Sequence, residues 1–155
     1  MVRSIGPVLL VDDSEDDALL MQRAFRKSAE FPKVQWLTNG NDATLYLCGH
    51  GQFKDRTVYP LPSLILLDLK LPVKNGFEVL RWLRSYPAFA SIPVIVLSDC
   101  IDPRIIRRAY ELGANSFIRK PQNEDLRRQL AELVEQYWLG INITVADEPV
   151  PEPDR

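Results

Sequence analysis

The stretch 64-LILLDLKLP-72 places one carboxylate, Asp68, at the end of a continuous apolar run. Such short runs of Leu and Ile are typical of a strand buried on both faces, as in a parallel sheet. An unpaired charge inside such a strand would be strongly unfavourable. Asp68 is therefore expected at the mouth of the strand, where the sheet meets solvent.

The rest of the chain repeats this alternation of short apolar runs and helical patterns. Predicted strands cover residues 8–11, 34–37, 64–68, 94–97 and 116–118. Helices are predicted after Ser14, over 41–48, over 77–85, from Pro103 to Gly113 and after Asn123. Ser14 and Asn123 are good N-cap residues, and Pro suits a first helical turn. Five strands alternating with five helices predict an α/β fold with a parallel sheet covered on both faces.

The end of the chain divides into a helix and a tail. An apolar stripe on the last helix is attributed mostly to packing on the sheet; its members are Leu126, Leu130, Leu133, Val134 and Tyr137. A proline-containing tail follows Gly140 and is expected to be flexible. The predicted organisation is one domain, residues 6–140, and a tail, residues 141–155.

Composition excludes several classes of function. The chain has 155 residues, 46% hydrophobic and 26% charged, with a formal net charge of -2. This balance does not favour nucleic acid or an anionic membrane as a partner. No apolar run approaches the roughly 20 residues of a membrane-spanning helix, and the N-terminus lacks a signal-peptide core. Two cysteines make no disulfide framework, so a cytoplasmic location is expected.

Polar residues collect at the predicted strand ends. These residues are Asp12, Asp13, Asp68, Ser98, Asp99 and Lys120. Ligands of open parallel sheets bind beyond the carboxyl ends of the strands, so these side chains are expected to share one cleft. Clustered carboxylates resist ionising together unless a cation lies near. Mg²⁺ favours carboxylate oxygen, whereas a single histidine, His50, argues against zinc. Acidic residues, Mg²⁺, a lysine and a hydroxyl suit phosphoryl transfer, with Asp68 as nucleophile.

Four segments in this order and spacing resemble the response-regulator receiver family, the CheY-like proteins of two-component signalling. They are LLVDDSEDD, LILLDLKLPVKNGFEVL, PVIVLSD and GANSFIRKP, and the resemblance spans roughly residues 6 to 138. The combination is highly specific, although each segment alone would be weak. The resemblance implies a doubly wound, flavodoxin-like sheet of strand order 2-1-3-4-5.

The resemblance also implies roles for individual residues. Asp68 stands at the phosphoacceptor position, Asp12 and Asp13 at the Mg²⁺-binding acidic pair, and the carbonyl of Lys70 at a further metal ligand. Ser98 fills the switch hydroxyl position, Phe117 the aromatic switch and Lys120 the lysine position. Pro72 and Gly76 match the loop after the acceptor. Pro121 matches a proline that is often joined by a cis bond in the family.

The implied function is that of a stand-alone response regulator that takes a phosphoryl group from a sensor histidine kinase and then binds a downstream protein. The long connection from Gly49 to Pro62 and the extended last helix resemble the receivers paired with bacterial phytochromes. A homodimer through the last two helices and the strand between them is a further expectation. No enzymatic activity beyond its own phosphorylation and dephosphorylation is expected.

Two rival functions remain open. A metal-dependent phosphatase with an aspartate nucleophile typically has a second carboxylate two residues on, where this chain has Lys70. A receiver-like module that no longer takes phosphate would only bind partners. Single residues also keep ordinary alternatives: Phe117 as core, Ser98 as a structural hydroxyl, and Arg104, Arg107 and Arg108 as a solvated helix face.

Overall fold

The computed structural model describes residues 5–144. Five parallel strands form one sheet in the order β2-β1-β3-β4-β5. The strands are β1 (Val8–Val11), β2 (Val34–Leu37), β3 (Leu64–Asp68), β4 (Val94–Ser98) and β5 (Ser116–Arg119). The sequence pattern predicts this parallel sheet, and its strand order is the one that the resemblance to the receiver family implies.

Four helices lie between successive strands and a fifth follows β5: α1 (Glu15–Phe25), α2 (Gly40–Cys48), α3 (Gly76–Ser85), α4 (Pro103–Glu111) and α5 (Glu124–Leu133). A π-helical segment, Val134–Ile141, continues α5. Each helix has a side-chain N-cap that accepts a hydrogen bond from a backbone N–H of the first turn; the caps are Ser14, Asn39, Asn75, Asp102 and Asn123. These caps satisfy amides that would otherwise lack partners, which fixes where each helix begins.

The core lies on both faces of the sheet, because alternate strand residues point to opposite sides. Leu9, Ile65 and Val96 belong to the face covered by α2, α3 and α4. Leu10, Leu66 and Ile95 belong to the face covered by α1 and α5. The central strands are therefore buried throughout, and their polar residues are confined to the carboxyl ends.

The connection from α2 to β3 is tied to the domain by aromatic packing and one arginine. Phe53 and Tyr59 pack around the buried ring of Tyr46. The Arg56 guanidinium donates to the carbonyls of Tyr46 and Leu47 at the end of α2, and to Tyr59. Carbonyls at a helix C-terminus lack intrahelical partners, so Arg56 supplies donors where the helix needs them.

The apolar stripe of the last helix is only partly buried, contrary to the sequence prediction. Leu130 and Val134 are 6% and 0% exposed, but Leu126, Leu133 and Tyr137 are 44%, 47% and 46% exposed. The buried face also contains Ala131, so the helix is rotated toward one side of its stripe. The three exposed side chains line its flank and do not contribute to the core.

The peptide bond before Pro121 and the lengths of the helices test two further expectations. No peptide bond is cis within residues 5–144, so the bond before Pro121 is trans and the cis expectation is wrong. Within the same residues, no helix has the length and apolar character needed to cross a membrane. The proposed tail falls mostly outside the described residues, and the domain limits at 140 and 141 stay a prediction.

Candidate metal and lysine site at the carboxyl edge of the sheet

The sheet register brings the polar strand ends to one edge. Asp68 is the last residue of β3 and lies opposite Leu97 of β4. Asp12 follows β1, and its amide donates to the Leu37 carbonyl of β2. The Lys120 amide donates to the Ser98 carbonyl, which joins the ends of β5 and β4. The carboxyl ends of the parallel strands thus place residues that are distant in sequence at one edge of the sheet, as the sequence predicts.

Three carboxylates form an oxygen cluster at this rim. Oxygens of Asp12, Asp13 and Asp68 all lie within 4.8 Å of one another. Asp12 and Asp68 are 3% and 6% exposed, whereas Asp13 is exposed. Oxygen-only donors with one open side are what Mg²⁺ requires, because it retains several waters. The residues present therefore fit a hard divalent cation.

Lys120 lies at the centre of the site. Its Nζ is 3.0 Å from Asp12 Oδ2, 3.0 Å from Asp68 Oδ2 and 3.1 Å from Asp17 Oδ2. The sequence pattern did not predict Asp17, in the first turn of α1, as a member of this site. Asp17 precedes the buried residue Ala18 and lies four residues before buried Met21, and this helical periodicity could have identified it as inward-facing.

The site balances burial against charge. Burial raises the pKa of Asp68 and of Asp12 above the ordinary value, although Lys120 and backbone N–H donors oppose the rise. Burial alone would lower the pKa of Lys120, but the carboxylates of Asp68 and Asp12 outweigh it and raise that pKa. The lysine is therefore protonated at neutral pH, and it offsets part of the repulsion within the cluster.

The raised pKa of Asp68 has a consequence for stability. A carboxyl whose folded-state pKa exceeds its unfolded value stabilises the fold at low pH, and loses that contribution as pH rises through the folded pKa. Without Mg²⁺, we expect the free energy of unfolding of the wild type to fall relative to Asp68→Asn as pH rises from about 4 toward neutral. Urea unfolding of both proteins across that range measures it. If the free energy of unfolding of the wild type instead rose relative to that of Asp68→Asn, the raised pKa of Asp68 would be wrong.

Backbone groups of Lys70 and Cys100 form hydrogen bonds with the Asp68 carboxylate and the Ser98 hydroxyl, respectively. The Lys70 amide donates to Asp68 Oδ1 at 3.2 Å, while its side chain is exposed. Ser98 is 2% exposed, and its Oγ accepts from the Cys100 amide at 3.1 Å and donates to the Cys100 carbonyl at 3.2 Å. The Ser98 hydroxyl is thus engaged with the loop after β4 and not with Asp68.

Phe117 lies half-buried against the core beside α4. Its amide donates to the Tyr110 hydroxyl of α4 at 3.1 Å. This bond joins the backbone of β5 to α4 at the residue for which a switching role is expected. All three arginines of α4 are exposed, and Arg108 also stacks over the Phe77 ring at 4.5 Å.

A glycine allows α3 to begin directly against the end of β3. The Gly76 amide donates to the Leu69 carbonyl at 3.0 Å. A Cβ at Gly76 would collide with the Asp68 carbonyl and with the Leu69 Cα. Only glycine permits this approach without a shift of the backbone that carries Asp68.

Trp36 provides a reporter for the acidic cluster. Its half-buried indole donates to the Asp12 backbone carbonyl at 2.8 Å. We expect Mg²⁺ to change Trp36 fluorescence, because the ion would bind the carboxylate of Asp12 and the indole is hydrogen-bonded to the backbone of the same residue. Asp13→Ala should weaken the apparent Mg²⁺ affinity at least about tenfold, or ~1.4 kcal/mol, because it removes a charged oxygen ligand.

Fluorescence titration of the wild type, Asp13→Ala and Trp36→Phe tests this expectation. Trp36→Phe is the control, and it should lose the signal while Mg²⁺ binding persists by calorimetry. An unchanged affinity in Asp13→Ala would remove that residue from the metal site.

The fold and the site define a class: a doubly wound α/β protein with an acidic oxygen cluster, a buried lysine and a hydroxyl at the carboxyl edge of its sheet. The response regulator receiver domain model matches residues 8–135. The chain therefore belongs to the response regulator receiver domain family of two-component signalling.

Particular relatives are similar over most of their length. The probable methanogenesis regulatory protein FilR2 of Methanothrix harundinacea is 38% identical, covering 87% of this chain and 84% of the relative. Response regulator Rcp1 of Synechocystis is 33% identical, covering 85% and 88%. The structure of the phosphorylated cyanobacterial phytochrome response regulator RcpA superimposes with a TM-score of 0.84 at 34% identity, covering 92% of this chain and 99% of that one. Rcp1 has also been solved in a Mn²⁺-bound form, with a TM-score of 0.79 at 32% identity, covering 89% and 97%.

Proposed function

We propose that this receiver domain accepts a phosphoryl group on Asp68 from a histidine kinase and then changes the surface that it offers to a partner. One observation carries the proposal: the Asp68 carboxylate lies both in the oxygen cluster and 3.0 Å from the Lys120 amine. A nucleophilic carboxylate beside a cation site and a fixed ammonium suits phosphoryl transfer. The experiment that tests it is phosphotransfer from candidate histidine kinases of the same organism, with Asp68→Asn as control.

We also propose a metal site at the same edge of the sheet. Asp12, Asp13, Asp68 and the Lys70 carbonyl would hold Mg²⁺. The Mn²⁺-bound form of Rcp1 supports a divalent cation in this family. When bound, Mg²⁺ supplies positive charge that neutralises oxygen on the transferring group. Chelation with EDTA should accordingly abolish phosphorylation.

The chain's own residues perform the transfer. A carboxylate oxygen of Asp68 attacks phosphorus, and the P–N bond of a phosphohistidine donor breaks as the P–O bond to Asp68 forms. The imidazole leaves with the electron pair and takes a proton from solvent. The protonated amine of Lys120 donates to oxygen of the transferred group and keeps its proton.

Ser98 supplies the link from phosphorylation to surface change. The phosphoryl group carries roughly -1.5 to -2 charge in place of the carboxylate's own charge, and it brings three acceptor oxygens. We infer that the Ser98 hydroxyl leaves Cys100 and donates to one of them, and that Phe117 moves into the space vacated. Reversing a mostly inactive population takes about 5.5 kcal/mol, whereas one hydrogen bond to a charged group contributes roughly 1.5 to 3. Ser98 and Lys120 must therefore act together.

Ser98→Ala tests this coupling. The variant should still take phosphate, but the active-to-inactive ratio of its phosphorylated form should be at least roughly tenfold lower than that of the wild type, since the substitution removes one charged hydrogen bond. Hydrogen exchange of the Phe117 amide, which is bonded to Tyr110 in this structure, measures the change. Ser116→Ala is the control on the neighbouring strand. An undiminished change in Ser98→Ala would exclude the hydroxyl from the switch.

The rival enzyme is less well supported. An aspartate-based phosphatase needs a second carboxylate beside the nucleophile, and the exposed Lys70 side chain occupies that sequence position. Multiple turnovers of p-nitrophenyl phosphate that depend on Asp68 would favour the phosphatase. A binding module without phosphorylation would show no label under any donor.

The partner and the assembly are also proposals. The similarity to RcpA, a phytochrome response regulator, favours a phytochrome-type sensor kinase, whereas the similarity to FilR2 does not point to one. We propose a cytoplasmic protein with a downstream protein target and a homodimer through α4, β5 and α5. Exposed Tyr110, Leu126, Leu133 and Tyr137 supply apolar area for that dimer. Sedimentation of wild type and Leu133→Glu tests it, since a buried glutamate would dissociate the pair.

A further inference from the structure

The Lys120 amine is saturated in this structure. An ammonium has three N–H donors, and three carboxylates lie within 3.1 Å of Nζ. Two of these carboxylates, Asp12 and Asp68, also belong to the oxygen cluster. Before Lys120 can donate to a phosphoryl group on Asp68, it must release one of its present acceptors.

Asp17 is the one of these three acceptors that lies outside the oxygen cluster. Its side chain is 47% exposed. Its backbone is fixed at the start of α1, where its amide donates to Ser14 Oγ at 3.3 Å. The Asp17 carboxylate therefore reaches the Lys120 amine from the start of α1, and it is the most exposed of the three acceptors.

We propose that Asp17 is a positioning residue that competes with the incoming phosphoryl group for the Lys120 amine and thereby slows transfer to Asp68. The inference rests on the proposed function of Asp68. With acetyl phosphate as donor, the P–O bond to Asp68 forms, the P–O bond to the acetyl group breaks, and acetate leaves with the electron pair. Negative charge develops on phosphoryl oxygens during that step, so an amine held by Asp17 stabilises it less.

The size of the effect follows from exposure. Asp17 is half-exposed, so its interaction with Lys120 is weakened by water and is far from the strength of a buried pair. Neutralising it should accelerate phosphorylation about three- to tenfold, in the range of a partly screened charge a few ångströms away. The gain should lie in the maximal rate constant, because Asp17 acts through Lys120 and not on donor binding.

The experiment compares phosphorylation by acetyl phosphate at saturating Mg²⁺ in the wild type, Asp17→Asn and Asp16→Asn. Asp16 is the matched control, since it is an exposed acid in the same helical turn and loses the same charge. We expect Asp17→Asn to raise the maximal rate constant about three- to tenfold and Asp16→Asn to change it less than about twofold. Asp17→Glu, which keeps the charge, should stay near the wild-type rate. Asp17→Gln serves as a second neutral variant if Asp17→Asn does not fold.

The outcomes separate the two proposals. A rate in the neutral Asp17 variants that is unchanged or slower would overturn competition for the amine. Equal acceleration in Asp16→Asn would also overturn it, because the cause would be the general field of the helix. A gain confined to the donor concentration at half-maximal rate would overturn it as well. No label on the wild type would instead refute the proposed function, and this inference with it.

Discussion

Asp68→Asn is expected to abolish acid-labile phosphorylation, with labelling at least about 100-fold below the wild type. The amide is a very poor nucleophile, so no acyl phosphate can form at this position. The substitution keeps the size of the side chain and leaves one oxygen to accept from the Lys70 amide. The loss is therefore chemical, and the fold should persist. Incubation with Mg²⁺ and acetyl phosphate, followed by measurement of acid-labile phosphate, gives the result.

Asp16→Asn is the matched control for that measurement. Asp16 is exposed in the first turn of α1, outside the oxygen cluster, and carries the same charge. We expect it to label within about twofold of the wild type, because exposed charges interact weakly with the site. If Asp68→Asn took up acid-labile phosphate at the wild-type level, another residue would be the acceptor.

Lys120→Met should have the largest effect on stability. The amine offsets three carboxylates, and removing one partner of a buried ionic cluster typically destabilises a protein by about 3 to 5 kcal/mol. The Lys120 side chain is 10% exposed, and those of Asp12 and Asp68 are 4% and 7% exposed, so little water replaces the lost partner. We expect a loss of that size in the free energy of unfolding without Mg²⁺. Added Mg²⁺ should recover more stability in the variant than in the wild type, because the ion supplies the missing positive charge.

Lys27→Met is the control, because Lys27 pairs with Glu124 at 3.2 Å with both side chains well exposed. Exposed ion pairs contribute little to stability, so this variant should unfold close to the wild type. In the wild type, Lys120 contributes fully to the free energy of unfolding below its unfolded-state pKa of about 10.4. This contribution is lost as pH rises through the raised pKa of Lys120 in the folded state. A Lys120→Met protein as stable as Lys27→Met in the absence of Mg²⁺ would refute the central place given to the amine.

Local patterns carried most of the prediction of the fold. Runs such as 64-LILLD-68 are long enough to fill a buried strand and end where a charge begins. Caps such as Ser14 and Asn123 identified helix starts, since each side chain bonds within its own turn. The convergence of Asp12, Asp68 and Lys120 followed from the parallel sheet, which places strand ends together.

What could not be predicted depends on contacts between distant segments. The exposure of Leu126 and Leu133 reflects the rotation of α5 about its axis, which packing against α1 and the sheet determines. The engagement of Ser98 with Cys100 depends on the path of the loop after β4. The bond from Trp36 to the Asp12 carbonyl joins neighbouring strands β2 and β1 through a side-chain orientation that the sequence does not specify.

Mapping the phosphorylated residue in the wild type tests the central claim most directly. The chain is incubated with Mg²⁺ and acetyl phosphate, the acyl phosphate is trapped by borohydride reduction, and the converted residue is located by mass spectrometry. We predict conversion of Asp68 and of no other carboxylate at this edge of the sheet. Conversion at Asp12, Asp13 or Asp17 with Asp68 intact, or no conversion in protein that binds Mg²⁺, would contradict it.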